Sequence, residues 1–369
     1  MTENPIAISR WSLRFSGIAW FVAGMVFLLA FPMLLKAAAW ALPVAIIISA
    51  LLALPVAWVY RKFRKPKDAF KWTWGRCTFV LLFIFSVLFA APIYYFSAVT
   101  QLRPALVPQV SLTNGDKTIV FQGMQHVGIE RFYKSVVYDI EEALSRGDVI
   151  FYEGVRPSNP EADAWLNNIM TGGKDLSESY KVLGNLCGLK FQNDYFLLLG
   201  RDAQANPKSH VVADVSTLDL KHEYERLLAT DKSFVAAMAA RSKSDPTSPE
   251  RIESLVRFLD KGTKAQRAMA GIVCRGFMTI SMQSEKAANP EPLERVILDF
   301  RNKVLADKLL SEPNKHIFVT YGSNHLHGVL SLLQKNDPKW HVASVKWMRT
   351  IEAPEEYGVH SLNLVEDNN

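Results

Sequence analysis

The first hundred residues contain long stretches with almost no charge, and these stretches limit what this part of the chain can fold into. Between Phe15 and Tyr60 the only charged side chain is Lys36, and the stretch from Cys77 to Val99 has none. A bilayer core about 30 Å thick is crossed by a helix of roughly 20 apolar residues. A buried core helix explains any one such segment, but three of them favour a membrane. The sequence therefore predicts transmembrane helices at about 15–35, 38–60 and 77–99.

The basic residues around these spans predict the orientation of the chain. Arg10 and Arg14 precede the first span, and the turn between the first two spans holds only Lys36. The next loop is rich in basic residues, which are Arg61, Lys62, Arg64, Lys65, Lys67, Lys71 and Arg76. By the positive-inside rule the amino terminus and this loop are cytoplasmic, so the chain after about residue 100 is predicted to be outside the cytoplasm. The net charge of +6 comes largely from this loop and does not predict nucleic-acid binding.

Two of the three cysteines fall in the predicted exported part. Cys77 lies in or beside the third span, whereas Cys187 and Cys274 follow it. A disulfide between the latter two would persist in an oxidising compartment. Two separate buried thiols are equally consistent, because the sequence does not give the distance between their α-carbons. No Cys-x-x-Cys pattern occurs, so a thiolate zinc site of the usual spacing is not predicted.

The predicted exported domain, residues 117–369, begins and ends with alternating strand and helix patterns, and residues 101–116 are predicted to be a linker. Apolar runs predict strands at about 117–122, 148–152, 210–214, 316–321 and 340–348. Apolar residues at helical spacing predict helices at 129–144, 264–283, 293–310 and 326–335. This order predicts an α/β fold with a mixed or parallel sheet, flanking helices and a helical insertion in the middle.

Two of the predicted strands are followed by the same motif, Gly-x-x-His. The first motif contains Gly123 and His126, and the second contains Gly322 and His325. A glycine permits a tight turn and a close approach of the backbone. A strand, this motif and then a helix place an imidazole at the carboxyl edge of a sheet, where open α/β sheets bind ligands. The repetition therefore predicts that both imidazoles contribute to one site.

Two other predicted strands end on carboxylates, Glu153 and Asp214. Imidazoles with one or two carboxylates suit a divalent transition metal, which can activate a bound water. We expect His126, Glu153 and His325 to hold such an ion or to provide a general base. Singly, each has a structural explanation as a hydrogen-bonded group or a loop cap, but the repeated motif favours a site. The sequence contains no His-Glu-x-x-His motif, so the identity of the metal stays open.

Four segments together resemble the TraB/GumN/TIKI superfamily over about residues 117–348. They are the first Gly-x-x-His at 123–126, Glu153, Phe-Arg-Asn at 300–302, and the second Gly-x-x-His with its trailing Leu-x-Gly at 322–328. In addition, Gly-Leu-Lys-Phe-Gln at 188–192 and Ala-Asp-Val-Ser at 213–216 resemble a pattern of the membrane-anchored members. The resemblance implies an erythromycin-esterase-like α/β fold, which is related to the haem-binding ChaN proteins.

The resemblance also implies a metal-dependent hydrolase, a peptidase or esterase, for a peptide or small-molecule substrate. Manganese, cobalt and zinc are all open as the metal. Arg301 is expected to neutralise a carboxylate or an oxyanion, the alternative being a surface salt bridge. Contacts to the substrate or to the groups around it are expected from Gln192, Asp214, Asn302 and Asn324. The alternative function is a non-catalytic protein at the cell membrane that binds peptide pheromones, haem or metal.

Overall fold

A computed structural model describes residues 10–64, 68–241, 261–283 and 291–352 of the chain. These residues fall into two compact units. The first comprises Met1–Ala98 and Gly262–Val273, and the second, here named the α/β domain, comprises Val99–Lys261 and Cys274–Asn369. The end of the predicted exported domain, 353–369, and Lys65 and Lys67 of the basic loop lie outside the described residues.

Three long apolar helices precede the α/β domain. They are α1 (Arg10–Ala37), α2 (Ala41–Arg64) and α3 (Phe70–Leu102). Even the shortest, with 24 residues, is about 36 Å long at 1.5 Å per residue, which exceeds the bilayer core. All three are long and apolar enough to cross a membrane, as the sequence predicts.

Six strands form the central sheet, in the order β6-β4-β7-β2-β1-β8, and β3 pairs separately with β5. The strands are β1 (Ala105–Thr113), β2 (Thr118–Met124), β3 (Val127–Gly128), β4 (Val149–Tyr152), β5 (Lys190–Phe191), β6 (His210–Val212), β7 (His316–Gly322) and β8 (His341–Ile351). β2, β7, β4 and β6 run parallel, whereas β1 is antiparallel to both β2 and β8. The sheet is therefore mixed, and the five predicted strands are all present.

Helices cover both faces of this sheet. Between β3 and β7 the chain forms the helices α4 (Glu130–Ser145), α5 (Pro160–Thr171), α6 (Leu176–Cys187), α7 (Gln192–Phe196), α8 (Gly200–Ala205), α9 (Thr217–Thr230), α10 (Lys232–Arg241) and α11 (Lys264–Gln283). A π-helix, Arg295–Phe300, leads directly into α12 (Arg301–Ser311), and α13 (His325–Asn336) connects β7 to β8. This arrangement confirms the predicted α/β fold with flanking helices.

Successive residues of β7 pack into different cores because side chains alternate along a strand. Ile317 and Val319 pack with Leu305 and Leu333 of α12 and α13, whereas Phe318 packs on the opposite face with the residues of α4. Burial of each such side chain contributes roughly 1.5–3 kcal/mol relative to its exposure. These two cores fix the position of the central strands, and therefore the position of their ends.

The segment 101–116, predicted to be a linker, contains strand β1. Its residues pair with β2 from Gln109 opposite Gln122 to Thr113 opposite Thr118, and with β8 along its whole length. Pro108 lies just before the ladder with β2 begins, so its missing N–H does not interrupt that ladder. The prolines that indicate a linker are thus compatible with a strand.

Cys187 and Cys274 form a disulfide in the α/β domain. Their α-carbons are 5.2 Å apart, within the usual range for such bridges. The bridge connects the end of α6 to α11 and is buried with Leu189 and Ile351. Of the two alternatives that the sequence leaves open, the structure contains the disulfide.

Candidate functional site

Four strands of the sheet end at one edge, and a polar residue follows each of them. His126 follows β2, Glu153 follows β4, Asp214 follows β6 and His325 follows β7. The four carboxyl ends lie at the same edge because these strands are parallel. β7 lies between β2 and β4, although it comes last of the four in the chain. Such a switch of strand order is where open α/β sheets usually bind ligands.

The guanidinium of Arg301 joins the carboxylates of Glu153 and Asp214. Its Nη2 donates to Glu153 Oε1 at 2.7 Å and to Asp214 Oδ2 at 2.6 Å. Its Nε donates to Asp214 Oδ1 at 3.0 Å. Arg301 is 6% exposed and Asp214 is 1% exposed, so water screens these charges little. Arg301 therefore forms a buried ion cluster and not a surface salt bridge.

The local structure around Arg301 directs neighbouring side chains to different partners. Arg301 and Asn302 begin α12 directly after the π-helix, a feature that often occurs at functional sites. Lys308 lies two helical turns after Arg301, and its Nζ donates to the carbonyl oxygen of Asp214 at 3.1 Å. α12 therefore supplies two cations on one face and an amide beside them.

Asp214 is a fixed negative charge. Besides Arg301, it accepts hydrogen bonds from the N–H of Gly154 at 2.9 Å and from the N–H of Val215 at 2.8 Å. Burial alone would raise the pKa of Asp214, but Arg301 and the two backbone donors hold it below its ordinary value. Asp214 is thus ionised at neutral pH, and it orients Arg301 toward Glu153.

Glu153 uses both of its oxygens. Oε1 accepts from Arg301, and Oε2 accepts from the N–H of Gly322 at 2.6 Å. A β-carbon at Gly322 would lie 3.4 Å from Oε2, so this glycine brings the β7 backbone close to the carboxylate. Burial would raise the pKa of Glu153, but Arg301 and then His325 and His126 outweigh it and keep the pKa below its ordinary value. Glu153 is therefore ionised beside both imidazoles.

His325 is held in one tautomer. Its Nδ1 lies 2.7 Å from Asn302 Oδ1, and because an amide oxygen only accepts, Nδ1 carries the proton. Nε2 then has a free lone pair and lies 3.7 Å from Glu153 Oε1. Burial, together with the charge of Arg301, lowers the pKa of His325 to about 4. The imidazole is therefore neutral at pH 7, with its basic nitrogen directed at the Glu153 carboxylate.

His126 is held in the opposite tautomer. Its Nδ1 lies 3.0 Å from the amide nitrogen of Gln192, which donates, so the proton of the neutral ring is on Nε2. Its ring stacks on Tyr180 with centroids 4.1 Å apart. Burial lowers the pKa of His126, which favours the neutral ring at pH 7. The two motif histidines thus differ in chemistry, because His126 presents a donor and His325 presents an acceptor.

The remaining predicted residues have more varied positions. Gln192 contacts His126 and Asn302 contacts His325, so both orient an imidazole. Gly123 lies where a β-carbon would be 2.8 Å from the carbonyl oxygen of Pro108, and it therefore permits the close approach of β1. Asn324 is exposed directly before α13 and takes no part in the hydrogen bonds described above.

Two further residues contact the site: Tyr180 was not singled out from the sequence, whereas Gly328 belongs to the Leu-x-Gly that follows the second motif. Tyr180 stacks on His126, and burial and then the charge of Glu153 raise its pKa. A β-carbon at Gly328 would lie 2.2 Å from Asn302 Nδ2, so only glycine leaves room for that amide. The position of Gly328 three residues after His325 carries a signal, because both lie on one face of α13. No local pattern distinguishes Tyr180.

The predicted metal ligands do not fit a metal ion in this arrangement. Among the described residues, no three His, Cys, Asp or Glu side chains are grouped as a metal-binding set. Both oxygens of Glu153 already accept hydrogen bonds, and Arg301 Nη2 is 2.7 Å from the oxygen that faces His325. A divalent cation bound there would meet the positive guanidinium at close range. The metal ion therefore stays a prediction that this arrangement of partners does not support.

These features define an α/β domain with a buried ionic site at the switch point of its sheet. Neither the family models nor the curated proteins nor the solved structures contain a match to this chain.

Proposed function

We propose that this chain is a membrane-anchored hydrolase of amide or ester bonds, acting outside the cytoplasm, and a TraB/GumN/TIKI-like protein with an erythromycin-esterase-like fold. The observation that carries the proposal is the free Nε2 of neutral His325, 3.7 Å from the ionised Glu153. A lone pair and a carboxylate at this spacing can both accept hydrogen bonds from one water, at about 2.8 Å each. That water is polarised by two acceptors and is a nucleophile for a carbonyl carbon.

Each residue has a distinct role in this hydrolysis. His325 Nε2 takes the proton of the attacking water and then gives it to the departing amine or alcohol as the bond to the carbonyl carbon breaks. The Glu153 carboxylate stabilises the imidazolium that exists between these two transfers. Asn302 accepts from Nδ1 and keeps Nε2 directed at the water. His126 Nε2–H donates to the oxygen of the scissile carbonyl, on which negative charge develops. Arg301 holds Glu153 in place and balances its charge.

The proposed location outside the cytoplasm is supported by two features. Arg10 and Arg14 lie in the first two turns of α1, and the second basic cluster lies at the end of α2, at the start of α3 and in the loop between them, which favours a cytoplasmic position for both segments. The disulfide Cys187–Cys274 suits an oxidising compartment. An odd number of spans between the amino terminus and the α/β domain leaves the domain on the opposite side.

Hydrolysis can be tested with the full chain in nanodiscs, incubated with libraries of chromogenic esters and fluorogenic peptides. We expect turnover by the parent protein and a loss of at least about 100-fold for Glu153→Gln, the usual scale of general acid–base catalysis. Glu161→Gln is the matched control because Glu161 is an exposed carboxylate paired with Lys221. Binding of peptides without turnover of any substrate would support the non-catalytic alternative. Activity that is lost on chelation and restored by manganese, cobalt or zinc would contradict the metal-free route.

The stability of the α/β domain is expected to fall as the pH decreases from 6.5 to 4. His325 has a pKa of about 4 when folded and 6.5 ordinarily, so in this window the unfolded chain binds a proton that the folded chain does not. The stabilisation is complete above pH 6.5 and is lost toward pH 4. This difference corresponds to about 3 kcal/mol.

Thermal denaturation across this pH range checks the expected loss. His325→Asn is expected to flatten the dependence of the melting temperature on pH, and the exposed His341→Asn serves as the control. Equal slopes for the parent and His325→Asn would show that His325 does not carry the effect.

A further inference from the structure

The edge of the sheet that carries the site is also the edge at which the chain enters the α/β domain. β1 begins at Ala105 and runs antiparallel to β2, so the first residues of β1 lie beside the last residues of β2. Pro108 on β1 contacts Gly123, the first residue of the first Gly-x-x-His motif, since a β-carbon there would be 2.8 Å from its carbonyl oxygen. β1 has nine residues, so its other end lies about 30 Å away, at the opposite edge of the sheet.

The connection between α3 and this edge is short. α3 ends at Leu102 and β1 begins at Ala105. From Leu102 to Pro108 the chain has six steps, which span at most about 20 Å when fully extended. The charge-free stretch of α3 that begins at Cys77 continues to Leu102, the last residue of the helix. If α3 spans a bilayer, this connection limits the distance between the end of α3 and Pro108 to at most about 20 Å.

Exposed apolar side chains lie at this same edge. Leu102 is 81% exposed, Leu106 at the start of β1 is 43% exposed, and Trp347 near the end of β8 is 62% exposed. Leu106 and Trp347 lie on adjacent strands, because Pro108 pairs with Trp347 and Leu106 pairs with Arg349. Tryptophan and leucine beside an arginine are typical of side chains at a lipid–water interface. The covalent continuity of this patch with an apolar helix favours the lipid surface as its occupant.

We propose that Leu102, Leu106 and Trp347 contact the lipid surface, and that the site acts on molecules anchored in the same bilayer. This inference rests on the proposed hydrolase function and on α3 spanning the membrane. The substrate is a membrane-anchored polypeptide whose scissile bond lies within a few residues of its anchor. A soluble peptide can also reach the site, but its turnover does not depend on the length of the connection between α3 and β1.

The test uses the full chain in phosphatidylcholine nanodiscs and a 20-residue Gly/Ser insertion between Leu102 and Arg103, which adds about 25 Å of flexible reach. Two fluorogenic peptides of one sequence are compared, one soluble and one carrying a dipalmitoyl anchor four residues from the scissile bond. We expect the insertion to reduce turnover of the anchored peptide at least tenfold and to leave turnover of the soluble peptide unchanged. Equal effects of the insertion on both peptides would overturn the inference.

A second measurement does not depend on turnover. In a Cys77→Ala background, Trp347→Cys is labelled with a fluorophore in nanodiscs that contain a doxyl-labelled lipid quencher. We expect strong quenching that the insertion removes, and the exposed Leu228→Cys, on α9, is the control label. Quenching without turnover of either peptide would reject the hydrolase and retain the lipid contact. Turnover of the soluble peptide without quenching at Trp347 would retain the hydrolase and reject the lipid contact.

Discussion

Replacement of Arg301 by methionine is expected to lower the free energy of unfolding of the α/β domain by about 3–5 kcal/mol and to abolish hydrolysis. The change leaves the buried carboxylates of Glu153 and Asp214 without their shared cation, and removal of one partner from a buried ion pair typically costs this much. Arg301→Lys is also expected to be impaired, because an ammonium cannot reproduce the three hydrogen bonds of the fork. Thermal and chemical denaturation in nanodiscs, together with kcat, measure both effects.

Two further variants separate the structural contribution of Arg301 from its role in the site. Arg226→Met removes an arginine that is exposed on α9 and pairs with Glu223. This variant is expected to change neither the free energy of unfolding nor kcat. Neutralising both carboxylates in Arg301→Met, by Glu153→Gln and Asp214→Asn, is expected to restore much of the stability but none of the activity. A stable and active Arg301→Met variant would show that the ion cluster has neither role.

Replacement of Gly328 by alanine is expected to lower kcat at least about 100-fold, although Gly328 does not contact the proposed position of the water. The added β-carbon would lie 2.2 Å from Asn302 Nδ2 and 2.9 Å from its Cγ, so the amide must move away from His325. His325 then loses the acceptor for its Nδ1 proton, and Nε2 is no longer held toward the water. Displacements of about 1 Å at an active site can have effects of this size.

Gly200→Ala is the matched control for this variant. Gly200 is also in a helix, and a β-carbon there would meet no atom within 4 Å. Alanine is favoured over glycine in a helix by up to about 1 kcal/mol, so this variant is expected to be fully active and at least as stable as the parent. Normal kcat in Gly328→Ala would mean that the contact between Asn302 and His325 does not direct the chemistry.

The strands that carry the site were predictable because their sequences are local and unambiguous. β2, β4 and β7 are apolar runs that end at a glycine or a charged residue, and helical spacing resumes soon after. Strand β1 was not predicted, because Pro104 and Pro108 are typical of a loop. Its partner β8 is more than 200 residues away in the chain, so that pairing has no local signature. The hairpin of β1 with β2 does have one, because Asn114-Gly115 in the connection is typical of a hairpin turn.

The residue types of the site could be predicted, but their partners could not. Glu153 and Arg301 are 148 residues apart. No pattern in the sequence indicates that the guanidinium binds the same carboxylate that was proposed as a metal ligand. A motif shows which possible metal ligands are present, but it does not show which of them already bind other side chains. The opposite tautomers of His126 and His325 are set by Gln192 and Asn302, which lie on α7 and α12, so they require coordinates.

A double-variant cycle on kcat with Glu153→Gln, His325→Gln and their combination tests whether the two side chains activate one water together. If the imidazole and the carboxylate activate one water together, the double variant is expected to lose no more than the more damaging single variant, as groups that act as a unit do. Losses that multiply in the double variant would contradict the account, because they would mean that the two side chains act independently.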